Sequence, residues 1–324
     1  MNAAGCAKVH RMWFRSATVA AIALAMLITV CPPALAQLTE PFDHLHLAVP
    51  DVERARDWYI QHMEGNAGET PETVSWGKWP GDHPLPISLL FTLSETAKPS
   101  AGSAIDHIGF SFADLDAKIE ALRASGVRIV SPPADVPGLW KQAVVEDPWG
   151  TRLVLVENPD QLGIHHAELR VADPEESLSF YVRAFGGDRI KYRGLIDAVR
   201  YRELGVFHLF IVKDDGAPPS PGHVIDHIGF GPLDLDKVVT ALTSEGVTFT
   251  SNPNPRVNPA CRFVTADGED GARGVRRLYC AQPDQLAHRV VYLDGPGGVR
   301  IELVQHLEAG GHVGKVVVAP MGSG

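Results

Sequence analysis

The sequence predicts an α+β fold built from four copies of one strand–helix–strand–strand module. The strongest observation is a hexapeptide that occurs twice, letter for letter, at residues 105–110 and 225–230. Partial identity continues downstream of both copies at the same spacing. A second observation is that residues 165–171 repeat the pattern of residues 43–49. A repeat of this kind has to be recognised before a fold is assigned, because each copy is one structural unit.

The first module opens with a strand over Phe42–Val49, where apolar and mixed side chains alternate. His44 and His46 share the mixed face, which indicates a half-buried strand. Asp51 is placed to cap a helix that ends near Gly65. The apolar run at residues 87–93 predicts a buried strand that closes the module.

The second module opens with the first hexapeptide, in which His107 and Gly109 lie on one face. A helix is expected from about Asp114 to Ser125, ended by a glycine. Two strands follow, at residues 142–145 and 151–156, and a tight turn joins them. This module has the same order of elements as the first.

The third module repeats the first, with Asp173 in the place of the earlier capping aspartate and strands at residues 198–203 and 206–212. The fourth repeats the second but carries a polar insertion at residues 252–274. Its final strand is expected at residues 299–304. Short strands in which apolar and mixed side chains alternate predict sheets with two different faces. One face packs against helices, and the other can carry polar side chains.

Consecutive modules are expected to pair, the first with the second and the third with the fourth. The chain is therefore predicted to contain two tandem domains, at residues 42–158 and 163–306. The glycine-rich segment 307–324 is expected to be a flexible tail.

The N-terminus predicts a signal peptide over residues 1–36. Three basic residues precede an apolar run at residues 17–30, and Ala34-Leu35-Ala36 is a small-x-small cleavage site. The run is short for a membrane span. We expect export to a periplasm or to the exterior, and no membrane association after cleavage.

Cysteine usage leaves one question open. Cys6 and Cys31 would leave with the signal peptide, so Cys261 and Cys280 remain in the mature chain. Both lie in strand-like runs that could be hairpin partners, and an oxidising compartment would allow a disulfide between them. The sequence does not decide whether it forms.

The charge balance restricts the class of partner. The chain has a formal net charge of −10, which disfavours nucleic acid and anionic membranes. We expect a small-molecule substrate instead, and a homo-oligomer is compatible with the sequence.

Histidines in matched positions predict the chemistry. Each of the four opening strands carries one on its mixed face: His44, His107, His166 and His227. Neutral imidazole is the commonest protein ligand for metals. Gly109 and Gly229 follow two of these histidines on the same face and leave space above the sheet.

The closing strands differ between the two halves. Aligning them places Val154 opposite Glu302, so the second half can assemble His166, His227 and Glu302. Two imidazoles and one carboxylate with open positions form the facial triad of non-haem Fe(II) sites, and the set also suits Mn(II), Zn(II) or Ni(II). The first half lacks the carboxylate and is predicted to hold no metal.

These motifs resemble the vicinal oxygen chelate superfamily, which includes glyoxalases, resistance proteins and extradiol dioxygenases. The resemblance rests on the Asp-His opening of the first strand, the helix that follows it, the repeated hexapeptide and the closing Pro-x-Gly-x-x-x-Glu. It covers about residues 42–305. It implies paired βαβββ modules and a divalent metal, Fe(II) first among candidates, held by His166, His227 and Glu302.

Among the members, the chain is most similar to type I extradiol ring-cleaving dioxygenases. That resemblance implies a hydrogen-bonding role for Tyr292 and an acid–base role for His208 or His288. One alternative is a glyoxalase- or epimerase-like lyase or isomerase. Another is a protein that binds a small molecule without turnover, in an apolar pocket near Trp76, Trp79 and Val154.

Overall fold

The structure is a computed structural model of the 324-residue chain. It describes residues 39–68, 72–76, 87–201, 206–232, 234–251, 261–265, 276–280 and 288–306. The predicted signal peptide and tail lie outside these residues. No helix in the described residues is long and apolar enough to cross a membrane.

The strands and helices follow the predicted modular order, which confirms the α+β class. The first module contains β1 (Thr39–Val49), α1 (Val52–Met63), β2 (Asn66–Ala67), β3 (Thr73–Trp76) and β4 (Ile87–Leu93). The second contains β5 (Ile105–Phe112), α2 (Leu115–Ala124), β6 (Arg128–Asp135), β7 (Lys141–Glu146) and β8 (Arg152–Glu157).

The third module contains β9 (Gly163–Val171), α3 (Pro174–Phe185), β10 (Asp188–Tyr192), β11 (Ile196–Tyr201) and β12 (Phe207–Lys213). The fourth contains β13 (Ile225–Pro232), α4 (Leu235–Ser244), β14 (Cys261–Thr265), β15 (Arg276–Cys280), β16 (His288–Asp294) and β17 (Arg300–His306).

Each of the four α-helices in the described residues begins directly after an aspartate. The side chains of Asp51, Asp114, Asp173 and Asp234 accept a hydrogen bond from the backbone N–H three residues on. An N-cap of this kind satisfies one of the free N–H groups of the first helical turn. The repeated aspartate therefore sets where the helix of every module starts.

The modules pair in a different way from the prediction. The first module pairs with the fourth in a seven-stranded sheet, ordered β16-β17-β13-β1-β4-β3-β2. The second pairs with the third in an eight-stranded sheet, ordered β10-β11-β12-β9-β5-β8-β7-β6. We call these the outer sheet and the inner sheet. The predicted pairing of consecutive modules is thus wrong, and each half of the chain contributes strands to both sheets.

Two strands absent from the prediction form the edges of the inner sheet, β6 and β10. Residues 128–135 contain two consecutive prolines, Pro132 and Pro133. Proline cannot donate a backbone hydrogen bond and is confined to edge strands or irregularities. The register of β6 against β7 is accordingly interrupted around these prolines.

Both sheets contribute to one hydrophobic core. Leu45 and Leu47 of the outer sheet belong to the same buried cluster as Ile108 and Leu169 of the inner sheet. Aromatic rings join the modules within it: Phe42 of β1 stacks on Phe207, with the ring centroids 4.1 Å apart. The described residues form a single compact unit.

The insertion of the fourth module contains the hairpin predicted from its cysteines. Strands β14 and β15 pair antiparallel, and Cys261 is the register partner of Cys280. The disulfide itself stays a prediction.

A buried hydrogen bond between the first two modules can be tested against a matched position. The Tyr59 hydroxyl donates to Asp147 Oδ2 across 2.9 Å, whereas the buried Tyr181 hydroxyl has no partner among the described residues. Losing a buried partner costs about 1–3 kcal/mol. Tyr59→Phe should therefore lower the free energy of unfolding by about that amount, measured by urea denaturation.

Tyr181→Phe is the control, because it removes a hydroxyl that has no hydrogen-bond partner in the described part of the chain. Its free energy of unfolding should stay within about 0.5 kcal/mol of the wild type. Equal losses in the two variants would contradict this assignment.

Candidate metal centre

The outer sheet brings its functional side chains together through the register of three strands. β1 runs antiparallel to β13, with His46 opposite His227 and His44 opposite Gly229. β17 runs parallel to β13, with Glu302 opposite Gly229. Side chains on one face of neighbouring strands converge, so three imidazoles and a carboxylate meet above Gly229. We call His44, His46, His227 and Glu302 the outer cluster.

Glycine at position 229 is required by a close approach of the neighbouring strand. A Cβ at this position would collide with the ring of His44, and a Cβ at Gly109 would collide with the ring of His166. The imidazole from each first strand thus lies across the glycine of the hexapeptide strand. This contact explains why both hexapeptides carry glycine two residues after the histidine.

The donor atoms of the outer cluster converge within a few ångströms. His227 Nε2 lies 2.8 Å from Glu302 Oε2 and 2.9 Å from His46 Nδ1. His44 Nε2 lies 3.9 Å from Glu302 Oε1. His44, His227 and Glu302 are at most 5% exposed. All four residues can offer a ligand atom within 4.8 Å of the others.

Aspartates next to two of the histidines set which nitrogen faces the cluster. Asp43 Oδ1 lies 2.6 Å from His44 Nδ1, and Asp226 Oδ1 lies 2.8 Å from His227 Nδ1. In a neutral imidazole the Nδ1–H therefore donates to the aspartate, and Nε2 carries a lone pair. His44 Nε2 is buried and has no hydrogen-bond partner within the described residues.

The electrostatics of the cluster are those of a cation site. Burial alone would raise the pKa of Glu302, but the bond with His227 and the charge of His44 lower it to about 2. Burial alone would lower the pKa of His227, but its contacts with Asp226 and Glu302 raise it. Burial and the neighbouring His227 and His44 lower the pKa of His46 to about 3. Glu302 is thus anionic and stabilises a positive charge next to it.

The outer cluster fits a divalent metal. Metal–nitrogen and metal–oxygen bonds of about 2.1 Å at right angles place adjacent ligand atoms about 3.0 Å apart. The two shortest contacts of the cluster match that spacing. Two imidazoles held by carboxylates, with a third carboxylate between them, are the donor set of Fe(II), Mn(II), Zn(II) or Ni(II) sites.

The structure corrects the predicted metal set in one member. His227 and Glu302 come together as predicted, but His166 lies on β9, which pairs with β5 of the inner sheet. The histidine that joins them in the outer cluster is His44 of the first module. The predicted set assumed that the third and fourth modules share a sheet. Because they do not, the prediction selected His166 of the third module instead of His44 of the first.

The inner sheet repeats the arrangement without its carboxylate. Val154 is the partner of Gly109, as Glu302 is the partner of Gly229, so the predicted match of these two positions is confirmed. His107 Nε2 lies 3.2 Å from His166 Nε2. Asp106 and Glu168 stand near His107, but both carboxylates form ion pairs with Arg170.

The candidate acid–base residues are divided between the two sheets. The Tyr292 hydroxyl donates to Glu302 Oε2 across 2.8 Å, so it belongs to the metal centre. His208 lies opposite His166 in the inner sheet, and its pKa is lowered to about 4, chiefly by burial. It is therefore not a neighbour of Glu302, contrary to its predicted role.

His288 begins β16, in which Tyr292 is the partner of Glu302. Along the strand backbone, His288 and Tyr292 are four residues apart, about 13 Å. His46 was not among the predicted ligands. The His44-x-His46 spacing, which places two imidazoles on one face of a strand, is the signal that could have identified it.

Of the residues suggested to line an apolar pocket, Trp76 belongs to the hydrophobic core. Trp76 is buried, and its indole N–H donates to the backbone oxygen of Met63. Val154 packs with Trp140 and Phe210 in a second, smaller buried cluster. Trp79 lies outside the described residues.

Comparisons with known proteins agree with this fold. The family model described as "Glyoxalase/Bleomycin resistance protein/Dioxygenase superfamily" matches residues 42–155 and 163–303. The chain therefore belongs to this superfamily of paired βαβββ modules, as its motifs predicted.

Individual relatives share little sequence identity with this chain. A protein of Arabidopsis thaliana named "Probable lactoylglutathione lyase, chloroplastic" is 25% identical over 209 residues. The match covers 61% of this chain and 59% of that protein, so the chain spans about three fifths of the relative's length.

Solved structures show the same fold. Glyoxalase I from Zea mays superposes with a TM-score of 0.60 at 17% identity, over 85% of this chain and 95% of that one. A Bacillus subtilis protein named "putative dioxygenase" gives a TM-score of 0.51 at 15% identity, over 83% and 86%.

The two hexapeptide glycines provide a matched test of where metal binds. Gly229→Ala should displace His44 and lower the metal content of the purified protein at least about tenfold. Gly109→Ala should displace His166 to a similar degree and leave metal content unchanged. Metal analysis by plasma mass spectrometry, with the free energy of unfolding measured in parallel, separates ligand loss from general destabilisation.

Metal affinity should weaken as the pH falls. The pKa of His227 is raised, so a proton competes with the metal for Nε2 at mildly acidic pH. Below that pKa, displacement of one proton lowers affinity by about tenfold per pH unit. Competition with a chromophoric chelator between about pH 8 and about pH 5.5 measures this. An affinity independent of pH over this range would contradict the assignment of His227 as a ligand.

Proposed function

We propose that this protein is a metal-dependent lyase or isomerase that acts on a small molecule at the outer cluster. The observation that carries the proposal is the convergence of His44 Nε2, His227 Nε2 and the Glu302 carboxylate at one buried point. Superfamily membership and the similarity in fold to glyoxalase I support it. Fe(II), Mn(II), Zn(II) and Ni(II) are the candidate metals, because their preferred donors match this set.

The metal would supply a Lewis acid that polarises a bound carbonyl or hydroxyl oxygen and thereby acidifies the neighbouring C–H bond. His44, His227 and Glu302 would hold it and leave open positions. A substrate with two adjacent oxygens fits such a site, because both oxygens can reach the open positions together. The reaction to test first is the one named for the plant relative, formation or cleavage of lactoylglutathione.

Other residues of the site prepare it for this chemistry. Tyr292 orients the Glu302 carboxylate through its hydroxyl, which fixes one oxygen and leaves the other free. His46 is neutral near pH 7 because its pKa is lowered to about 3, so it can act as a further ligand. Burial of the cluster excludes bulk water and strengthens these interactions.

A dioxygenase is the second candidate. The hydrogen bond from Tyr292 to Glu302 favours it, because the resemblance to extradiol enzymes implied a hydrogen-bonding tyrosine at this position. His208 weakens it, since this residue lies in the inner sheet opposite His166. Oxygen uptake with a series of catechols, after anaerobic loading with Fe(II), distinguishes the two reactions.

Binding without turnover is the third candidate. It predicts ligand association that survives removal of the metal. A stoichiometric metal that is required for turnover would exclude it.

Substitution of Glu302 tests the proposed centre directly. Glu302→Gln keeps the size of the side chain but removes its charge, so metal affinity should fall at least about 100-fold and turnover should be lost with it. The matched control is His166→Gln, which should leave both quantities unchanged. Loss of metal in His166→Gln with retention in Glu302→Gln would overturn the proposal.

A further inference from the structure

The two sheets present matched positions around their histidines, and the matches reveal one systematic difference. In the outer sheet, an aspartate precedes both His44 and His227. In the inner sheet, Asp106 precedes His107, but His165 stands before His166, at the position of Asp43 before His44. His165 is fully buried, so its ring is part of the site and not of the surface.

The substitution of histidine for aspartate creates a continuous chain of contacts, which we call the inner chain. His107 Nδ1 lies 2.8 Å from Asp106 Oδ1, and His107 Nε2 lies 3.2 Å from His166 Nε2. His166 Nδ1 lies 2.9 Å from His165 Nδ1. His165 Nε2 lies 3.5 Å from the hydroxyl of Tyr192.

The charge of Asp106 determines which atoms donate and which accept along the inner chain of hydrogen bonds. Asp106 also pairs with Arg152 and Arg170, and its pKa is held well below the ordinary value although burial opposes this. It is therefore a carboxylate, which can only accept a hydrogen bond. A neutral His107 then donates through Nδ1 and must accept through Nε2.

The remaining donors follow step by step. His166 donates from Nε2 to His107, so its Nδ1 accepts. His165 donates from Nδ1 to His166, so its Nε2 accepts from the Tyr192 hydroxyl. Every ring nitrogen of the three buried imidazoles then has a partner, which is the arrangement that buried polar groups require.

The outer cluster has no such chain. Asp43 can only accept, so His44 must donate through Nδ1, and its Nε2 lone pair is left without a donor. His227 likewise donates through Nδ1 to Asp226, but its Nε2 contacts Glu302 Oε2 and His46 Nδ1. The outer sheet thus offers the unpartnered His44 Nε2 near a carboxylate, whereas the inner sheet uses its ring nitrogens within its own hydrogen bonds.

We propose that the residue before the first-strand histidine decides which sheet binds metal. Asp43 directs the His44 Nε2 lone pair at the outer centre, whereas His165 fixes His166 with a hydrogen on Nε2 and makes the inner site metal-free. Asp43 and His165 are positioning residues, because each acts through the neighbouring histidine. The inference rests on the proposed metal centre of the outer sheet.

Absence of a carboxylate at Val154 is the competing explanation for a metal-free inner site. Restoring the carboxylate alone separates the two explanations. If Val154 were the sole cause, Val154→Glu would create a second tight site. If His165 also prevents metal binding, the single variant Val154→Glu should bind a second metal at least about tenfold more weakly than the double variant Val154→Glu/His165→Asp.

Titration with Co(II) measures this, because its visible absorption reports each occupied site. We expect one equivalent in the wild type, one in His165→Asp alone and two in the double variant. A second equivalent in Val154→Glu with the same affinity as in the double variant would overturn the inference. A wild type that binds no Co(II) would instead overturn the proposed function, so the two failures are distinguishable.

The reciprocal change uses the outer sheet. Asp43→His should reduce metal affinity at least about tenfold, because His44 can then donate through Nε2 as His166 does. Asp43→Asn keeps an oxygen that accepts from His44 Nδ1 and should retain most of the affinity. Equal losses in the two variants would contradict a role for the acceptor and point to packing alone.

Nitrogen NMR of the wild type tests the inner chain even if His165→Asp does not fold. In protein labelled with ¹⁵N-histidine and freed of metal, long-range proton–nitrogen correlations distinguish protonated from bare ring nitrogens. We expect hydrogen on Nδ1 of His107, Nε2 of His166 and Nδ1 of His165. Hydrogen on Nδ1 of His166 would reverse the chain and overturn the inference.

Discussion

The site depends on one steric contact, in which an imidazole from a first strand lies across a glycine of the hexapeptide strand. His44 occupies this position over Gly229, and His166 occupies it over Gly109. Because the glycine has no Cβ, the imidazole can lie close to the sheet and meet the histidine of the neighbouring strand. The antiparallel pairs β1–β13 and β5–β9 bring these residues together.

The same backbone contact produces two different chemical environments. In the outer sheet, carboxylates behind His44 and His227 leave two lone pairs aimed at a third carboxylate, Glu302. In the inner sheet, Val154 replaces that carboxylate and His165 closes the hydrogen-bond chain. Duplicated modules thus supply a common scaffold, and a few side chains determine whether it holds a cation. This agrees with the general rule that a fold fixes positions while the site fixes the function.

Much of the architecture could be predicted from the sequence. Alternation identified β1 and the hexapeptide strands, and the aspartates identified the helix starts, since both signals act within a few residues. The relation of Glu302 to Val154 also followed from the repeat. The edge strand β6 could not be identified, because Pro132 and Pro133 obscure its pattern.

Module pairing could not be predicted for a different reason. The two hexapeptide strands are identical from residue 105 to 110 and from 225 to 230, so β1 finds the same hydrogen-bonding groups and side chains on either of them. The choice between them is made by contacts far apart in sequence, such as Phe42 on Phe207. The error in pairing placed His166 instead of His44 in the predicted metal set, while Glu302, His227 and Tyr292 do lie together in the outer sheet.

Anomalous diffraction from crystals grown with Zn(II) or Co(II) would show whether the outer cluster binds the metal. We predict one strong peak about 2.0–2.3 Å from His44 Nε2, His227 Nε2 and a Glu302 oxygen, and no peak between His107 and His166. A peak at the inner pair, or none at the outer cluster in a metal-replete crystal, would contradict this prediction.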